Sequence, residues 1–244
     1  MKVVAIIQAR MGSTRLPGKV LKKVLGKPLL AYQLERVGRS TKIDEIVVAT
    51  TCHSGDNPII SLCQELDIAW YRGSEEDVLD RYFRTAMIAR ADIIVRLTAD
   101  CPLIDPFQID KVIETYLQHD HPYRFVSNTL KRTFPRGGLD TEVFSFGALK
   151  KTHQEAINPI DREHVTRYML HHPDLFPFVN VSSSTNYSHH RWTVDTIEDY
   201  RLIKRILEEI YPRNPKFTFS DTLKVLEENP EWQLINTSIQ QKED

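Results

Sequence analysis

The apolar, β-branched run Val3-Val4-Ala5-Ile6-Ile7 breaks abruptly into Gln8-Ala9-Arg10-Met11-Gly12-Ser13-Thr14-Arg15-Leu16-Pro17-Gly18-Lys19. A short apolar run bounded by turn residues reads as a strand buried in a sheet. The segment after it is a loop carrying two glycines, two hydroxyl side chains, a proline and three cations. Gly12 and Gly18 permit tight turns and close approach of a ligand to the backbone. Ser13 and Thr14 add hydroxyl donors. Arg10 and Arg15 can grip phosphate oxygens bidentately, and Lys19 supplies a compact point charge. A strand that empties into such a loop is built to hold a polyphosphate, which points to nucleotide chemistry. No Gly-Lys-Ser/Thr closes the loop and no Gly-x-Gly-x-x-Gly opens it, so the two commonest phosphate motifs are set aside. A solvated surface loop would account for any one of these arginines. It accounts poorly for three cations and two glycines directly after a buried strand.

The remaining pattern is that of an α/β fold. Strand signals at 3–8, 45–50, 69–71 and 92–97 alternate with helical patterns at 28–39, 57–66, 77–90 and 106–118. The continuous apolar run Ile93-Ile94-Val95 suits a strand buried on both faces, hence a parallel sheet with helical crossovers. Ligands of such sheets bind beyond the carboxyl ends of the strands. The first loop and residues 98–102 should therefore line one crevice. Beyond about residue 123 the alternation lapses. Strands at 124–128, 142–146 and 178–181 suggest a mixed or antiparallel section, with helices at 146–155 and 161–171. A strand at 191–194 should lead into a helix at 197–211, with a last helix around 220–228.

The 244 residues suffice for one large domain with a real core. Balance between 32 basic and 33 acidic side chains argues against a nucleic-acid partner, which usually demands a basic excess. The cationic loop is thus a local device in a neutral chain, suited to a small anionic ligand. Three cysteines, odd in number and without metal-site spacing, suggest a reducing compartment. Cys101 reads as a small buried residue. No run reaches the length of a membrane helix, so no membrane is expected and the localisation reads as cytoplasmic. The histidine pairs 119/121, 171/172 and 189/190 lack supporting acids or cysteines and read as surface or packing residues.

Two acids stand at strand ends. Asp100 closes the run Ile93 to Thr98 where the crevice should open, and Asp195 comes directly after Thr193-Val194. Magnesium takes one or two carboxylates and fills its shell with water and phosphate oxygens, which a pair facing a phosphate loop would satisfy. Either acid alone could instead cap a helix, Asp195 especially, and Asp199 reads as structural in the first turn of the next helix.

Several stretches of the sequence resemble a known family. Gln8-Ala9-Arg10 with Ser13-Thr14-Arg15-Leu16-Pro17-Gly18-Lys19 and Leu21 is similar to the signature of cytidylyltransferases that activate acidic sugars, CMP-Kdo synthetase and acylneuraminate cytidylyltransferase among them. Gly73 to Arg81, Arg96 to Asp105, Arg162-Glu163-His164-Val165-Thr166 and Arg191-Trp192-Thr193-Val194-Asp195 resemble the branch named for the spore coat polysaccharide protein SpsF. The resemblance runs from Met1 to about Ile210.

It implies a Rossmann-like nucleotide-diphospho-sugar transferase (GT-A-like) fold, with a mostly parallel mixed sheet flanked by helices. One domain would cover 1–238: a nucleotide-binding half to 122, a sugar-binding and dimerisation part at 123–190, then the metal-ligand strand and terminal helices, with a frayed tail at 239–244. The implied reaction transfers CMP from CTP to a 2-keto sugar acid and releases pyrophosphate, with Mg2+ held by Asp100 and Asp195. Arg10, Arg15, Lys19 and Asp100 would carry the chemistry. Nucleotide contacts would come from Ala9, Arg10, Gly12, Ser13, Thr14, Arg15 and Lys19, with Ser74, Asp77, Arg81 and Thr98 near base and ribose. Asp77 could equally cap a helix and Arg81 pair with it. Thr98 departs from the glutamine usual in the Kdo enzymes. For the sugar, Asn128, Arg136, Asp140, Glu142, Arg162 and His164 are the candidates. A homodimer through the less regular half is implied, with Phe144, Phe146, Phe176 and Phe178 permitting it. Two other readings stay open: a glycosyltransferase on the related fold, although Thr98-Ala99-Asp100 lacks the first acid of Asp-x-Asp, and a non-catalytic nucleotide-binding partner.

Overall fold

The computed structural model describes residues 1–239. In chain order it runs β1 (Val3–Gln8), the two-residue strands β2 (Lys23–Val24) and β3 (Lys27–Pro28), α1 (Leu29–Val37), β4 (Glu45–Thr51) and α2 (Asn57–Glu65). Then come β5 (Ala69–Gly73), α3 (Val78–Ile88), β6 (Ile93–Thr98), α4 (Pro106–Gln118), β7 (Phe125–Ser127) and β8 (Glu142–Ser145). The remainder is α5 (Phe146–Glu155), α6 (Pro159–Glu163), α7 (Arg167–His171), β9 (Phe178–Asn180), α8 (Ile197–Ile210) and α9 (Phe219–Glu228).

Seven strands form one sheet in the order β5-β4-β1-β6-β8-β7-β9, and β2 pairs with β3 in a separate hairpin. β5, β4, β1 and β6 are mutually parallel, β8 runs antiparallel to both neighbours, and β9 is parallel to β7. The sheet is thus mostly parallel with one reversed strand, as expected. Alternate residues of β1 face opposite sides. Val3, Ala5 and Ile7 pack with α1, α2 and α4, whereas Val4 and Ile6 pack with α3 and α5. Both faces are covered, which is why Val3 to Ile7 are all apolar. A third cluster joins Trp192 and Val194 to α8, α9, Tyr32 and Leu139.

Three expectations need correction. The stretch 161–171 is two helices, because Val165 sits at φ 37 between them. Its side chain is fully buried in the core, and packing has overridden the aversion of a β-branched residue to that region. The stretch 191–194 is not a strand. Only Arg191 pairs, bridging to Arg136, and the ladder stops there because Gly137 turns away at φ 66. Phe144 and Phe176 are fully buried in the core, so neither offers dimer surface; Phe178 is half exposed.

Ile239, placed in the expected frayed tail, donates its N–H to Asn236, and the rest of that tail lies outside the described residues. No helix among the described residues is long and apolar enough to cross a membrane.

Candidate active site

The loop after β1 is closed by its own backbone. Ala9 N–H continues the pairing to Ala49, Met11 N–H donates to Asp56 at 2.7 Å, and Gly18 N–H returns to Met11 O at 3.0 Å. Gly18 adopts φ 67, a left-handed turn that favours glycine, and Lys19 begins a short 3-10 turn. Gly12 does not share this conformation, and a Cβ there would make only ordinary contact with Glu75.

The three cations divide. Arg10 faces Glu75 at 3.2 Å on one side of the loop. Lys19 and Arg15 turn the other way, towards the two acids. Lys19 Nζ donates to Asp100 Oδ2 at 2.9 Å and to Asp195 Oδ1 at 2.7 Å, and Arg15 lies 3.0 Å from Asp195 Oδ2. Thr98 donates its hydroxyl to the other Asp100 oxygen at 2.6 Å. Val194 N–H donates to Asp100 O at 2.9 Å, which locks the two acid-bearing segments side by side. Burial alone would lower the Lys19 ammonium, but Asp100 and Asp195 outweigh it and hold the pKa above its ordinary value. Burial would likewise raise the Asp100 carboxyl; Lys19 and Thr98 overcome it and push the pKa below the usual range.

Arg191, which the sequence alone does not single out, is the third cation on this cluster. Its guanidinium reaches Asp195 at 2.9 Å and Asp199 at 2.9 Å. Asp199 also completes a capping box with Thr196 at the start of α8, the structural role expected of it. The spacing of Arg191 four and eight residues before two acids was the available signal.

Beside the loop opens a cavity of about 800 Å³ whose lining includes Gln8, Ala9, Arg10, Ser74, Glu75, Arg81, Arg96 and His164. Arg81 is nearly fully buried and donates to Ser74 O at 2.5 Å. Asp77 caps α3 by accepting from Asp80 N–H, and pairs with Arg162 at 2.7 Å rather than with Arg81. Arg162 is further held by the carbonyls of His153 and Ala156, so neither it nor Asp77 borders this cavity.

A smaller cavity of about 160 Å³, sharing Arg96 with the first, is lined by Thr98, Thr129, Arg132, Asp140 and Glu142. Arg132 clasps Asp140 with bonds of 2.8 and 3.2 Å, and Arg96 pairs with Glu142 at 2.7 Å. Burial pushes the Asp140 carboxyl up, against the opposing pull of Arg132. Glu142 reaches this rim because β8 is reversed: its first residue lies opposite Arg96 near the end of β6. Asn128 does not border the cavity. Its amide donates to Leu139 O and accepts from Thr141 N–H, pinning the ends of the 128–141 excursion together. Arg136 is elsewhere again, exposed and donating to Ser188 O. Arg132 carried no advance signal in the sequence. Ser13 accepts from Leu16 N–H and serves the loop itself; Thr14 is exposed. No cluster of three or more His, Cys, Asp or Glu able to hold a metal ion occurs among the described residues.

A parallel sheet whose carboxyl ends meet a cationic loop and a pair of carboxylates is the architecture of a nucleotidyltransferase. Residues 4–229 match the cytidylyltransferase family model, and the chain belongs to that family. It is 37% identical over 244 residues to an uncharacterised protein of Methanocaldococcus jannaschii, covering 99% of this chain and 97% of the other. It is 32% identical to the spore coat polysaccharide biosynthesis protein SpsF of Bacillus subtilis, covering 94% and 95%. A solved cytidylyltransferase from Leptospira borgpetersenii superposes with a TM-score of 0.91 at 34% identity, each chain covered fully. CMP:2-keto-3-deoxy-manno-octonic acid synthetase complexed with CTP shares the fold, with a TM-score of 0.63 at 19% identity over 86% of this chain and 99% of that one.

Proposed function

We propose that this cytidylyltransferase transfers CMP from CTP to an acidic, 2-keto sugar of the nonulosonic or Kdo kind, for assembly of a surface polysaccharide or glycan. The observation that carries the reading is the Lys19 ammonium shared by Asp100 and Asp195, with Arg15 on the same Asp195. Two carboxylate oxygens already converge on one cation, and hard oxygen donors of that kind suit magnesium. Asp100 and Asp195 would hold the ion. When bound, it would neutralise phosphate charge and favour attack on the α-phosphorus.

The chain's own residues do the rest. Arg15, Lys19 and Arg10 flank the loop and balance the charge of the β- and γ-phosphates as pyrophosphate departs. Ala9, Arg10, Ser74 and Arg81 border the larger cavity, whose volume suits the base and ribose. At the smaller cavity, Arg132 and Arg96 are the cations the carboxylate end of the sugar would meet. Asp140, raised by burial, is the weaker competitor for Arg132. No described side chain is set up as a dedicated general base. The same reading makes the protein a cytoplasmic homodimer through 123–190, which sedimentation velocity would test.

The decisive experiment mixes the protein with CTP, magnesium and a panel of 2-keto sugar acids and monitors pyrophosphate. Release should require CTP and a sugar acid together. Asp100→Asn and Arg15→Ala should abolish it while circular dichroism stays native. Turnover of a preformed nucleotide sugar, or near-normal rates in either variant, would refute the reading.

A further inference from the structure

The two cavities of the site share a single lining residue, Arg96. Arg10 and Arg81 border only the larger cavity, and Arg132 only the smaller. Arg96 stands on β6 level with Ile6 of β1 on one flank and Glu142 of β8 on the other. One neighbour is apolar and the other is an acid, so the guanidinium is only partly used. Its Nη1 donates to Glu142 Oε2 at 2.7 Å, while Nη2 makes no hydrogen bond among the described residues. The side chain is 16% exposed, which leaves that free end within reach of a ligand. The same Glu142 oxygen also accepts the Thr166 hydroxyl at 3.1 Å, so Glu142 is anchored independently of Arg96. Burial alone would lower the Arg96 pKa, but Glu142, Tyr82 and Asp100 outweigh it and hold the group charged.

A 2-keto sugar acid brings a charge problem to this boundary. In its cyclic form the reacting hydroxyl and the carboxylate are carried by the same carbon. When that oxygen approaches the α-phosphorus, the carboxylate must come close to the phosphate oxygens. Like charges repel, and more strongly in a partly buried site than in water. A planar guanidinium can donate to two oxyanions through different nitrogens, which a lysine could not do with the same geometry. Nucleotide and acceptor meet where their cavities meet, and Arg96 is the cation at that place.

We propose that Arg96 is a catalytic residue that touches both substrates, its guanidinium bridging the acceptor carboxylate and the α-phosphate; this rests on the acidic-sugar acceptor proposed above. In the step it serves, the anomeric oxygen of the sugar bonds to the α-phosphorus and the hydroxyl proton passes to solvent. The bond from the α-phosphorus to the bridging oxygen breaks, and its electron pair leaves with pyrophosphate. Arg96 offsets the repulsion between carboxylate and phosphate as the two close.

The test has two arms, both with magnesium, on the wild type, Arg96→Met, Glu142→Gln and Arg132→Met. In the first, CMP and cytidine are titrated calorimetrically, with no sugar present. CMP should bind more tightly than cytidine to the wild type, and Arg96→Met should cut that margin about tenfold, the scale of one charged hydrogen bond. Arg132→Met should keep the margin, and Glu142→Gln should keep or widen it because Arg96 is released. Were Arg96 only a support for Glu142, both variants of that pair would lose the margin alike. Should Arg96→Met fail to fold, the double variant Arg96→Met/Glu142→Gln, which leaves no lone buried charge, takes its place. A wild type that binds CMP no better than cytidine, or a margin unmoved without Arg96 or lost equally in Glu142→Gln, overturns the proposal. In the second arm Kdo and N-acetylneuraminate, each beside its C1 amide, are compared by pyrophosphate release. The wild type should prefer the acid, and Arg96→Met should lose at least tenfold of that preference; an unchanged preference overturns the bridge. Release with neither acid nor any other sugar acid in the wild type would instead refute the acceptor class, while the CMP margin still decides the phosphate contact.

Discussion

Lys19 Nζ lies 2.7 Å from Asp195 Oδ1, an ion pair that spans 176 residues of chain and also takes in Asp100 at 2.9 Å. One ammonium therefore holds together the phosphate loop and both acid-bearing segments. The side chains of Lys19, Asp100 and Asp195 are 13%, 21% and 12% exposed, so the charges are substantially withdrawn from water.

Lys19→Ala leaves Asp100 facing its neighbours without a counter-charge, while Arg15 and Arg191 still serve Asp195. Removing one partner of a buried pair costs about 3 kcal/mol, and that loss should appear in urea unfolding. Turnover should fall about 100-fold or more, the scale for loss of one charge-stabilising donor. Magnesium should then raise the melting temperature of the variant more than that of the wild type. Unchanged stability would show that the three charges do not support one another.

Asn128→Ala removes the partner of two buried backbone groups, Leu139 O and Thr141 N–H. Each such orphan costs about 1–3 kcal/mol, so the variant should be clearly destabilised. KM for the sugar should rise through loosening of the 128–141 excursion, with KM for CTP nearly unmoved. A stable variant with a raised sugar KM would instead mark direct contact.

Gly137→Ala forces a Cβ to within 2.7 Å of Thr193 Cβ at a residue with φ 66. Overpacking and backbone strain together should cost about 2 kcal/mol. Because this stretch leads on to Asp140, the sugar KM should respond more than the CTP KM. A melting temperature within a degree of wild type would sink this expectation.

Burial pushes the His190 imidazole down to about 4, with His189 adding to the effect. The unfolded chain takes up that proton near pH 6.5. Between those values the unfolded state binds more protons, so acid favours unfolding. The stability due to neutral His190 is whole above about pH 6.5 and drains as pH falls towards 4. His190→Phe should flatten the difference between pH 6.5 and 4 in denaturant titrations; parallel profiles would refute the assignment.

The parallel half was legible because its signals are local. β1 opens with the apolar run Val3 to Ile7 and β6 with Ile93 to Val95, the loop announces itself by glycine and charge, and both acids sit where buried segments end. Interactions that join distant segments were hidden. Nothing near Arg132 foretells its bidentate grip on Asp140, and the 161–171 helix breaks at Val165 only because the core claims that side chain. Arg136 reads in sequence as a neighbour of Asp140; Gly137 turns between them and sends the guanidinium to another cavity. The expected strand at 191–194 failed for the same reason, since its would-be partner leaves the extended conformation after one residue.

The reversal of β8 has a practical consequence. Ser127 and Glu142 are paired across β7 and β8, so the excursion between them begins and ends at one fixed point on the rim. Such a cassette can be exchanged as a unit, its length and chemistry varied to suit a different acceptor, while the triphosphate apparatus on the parallel strands is left untouched.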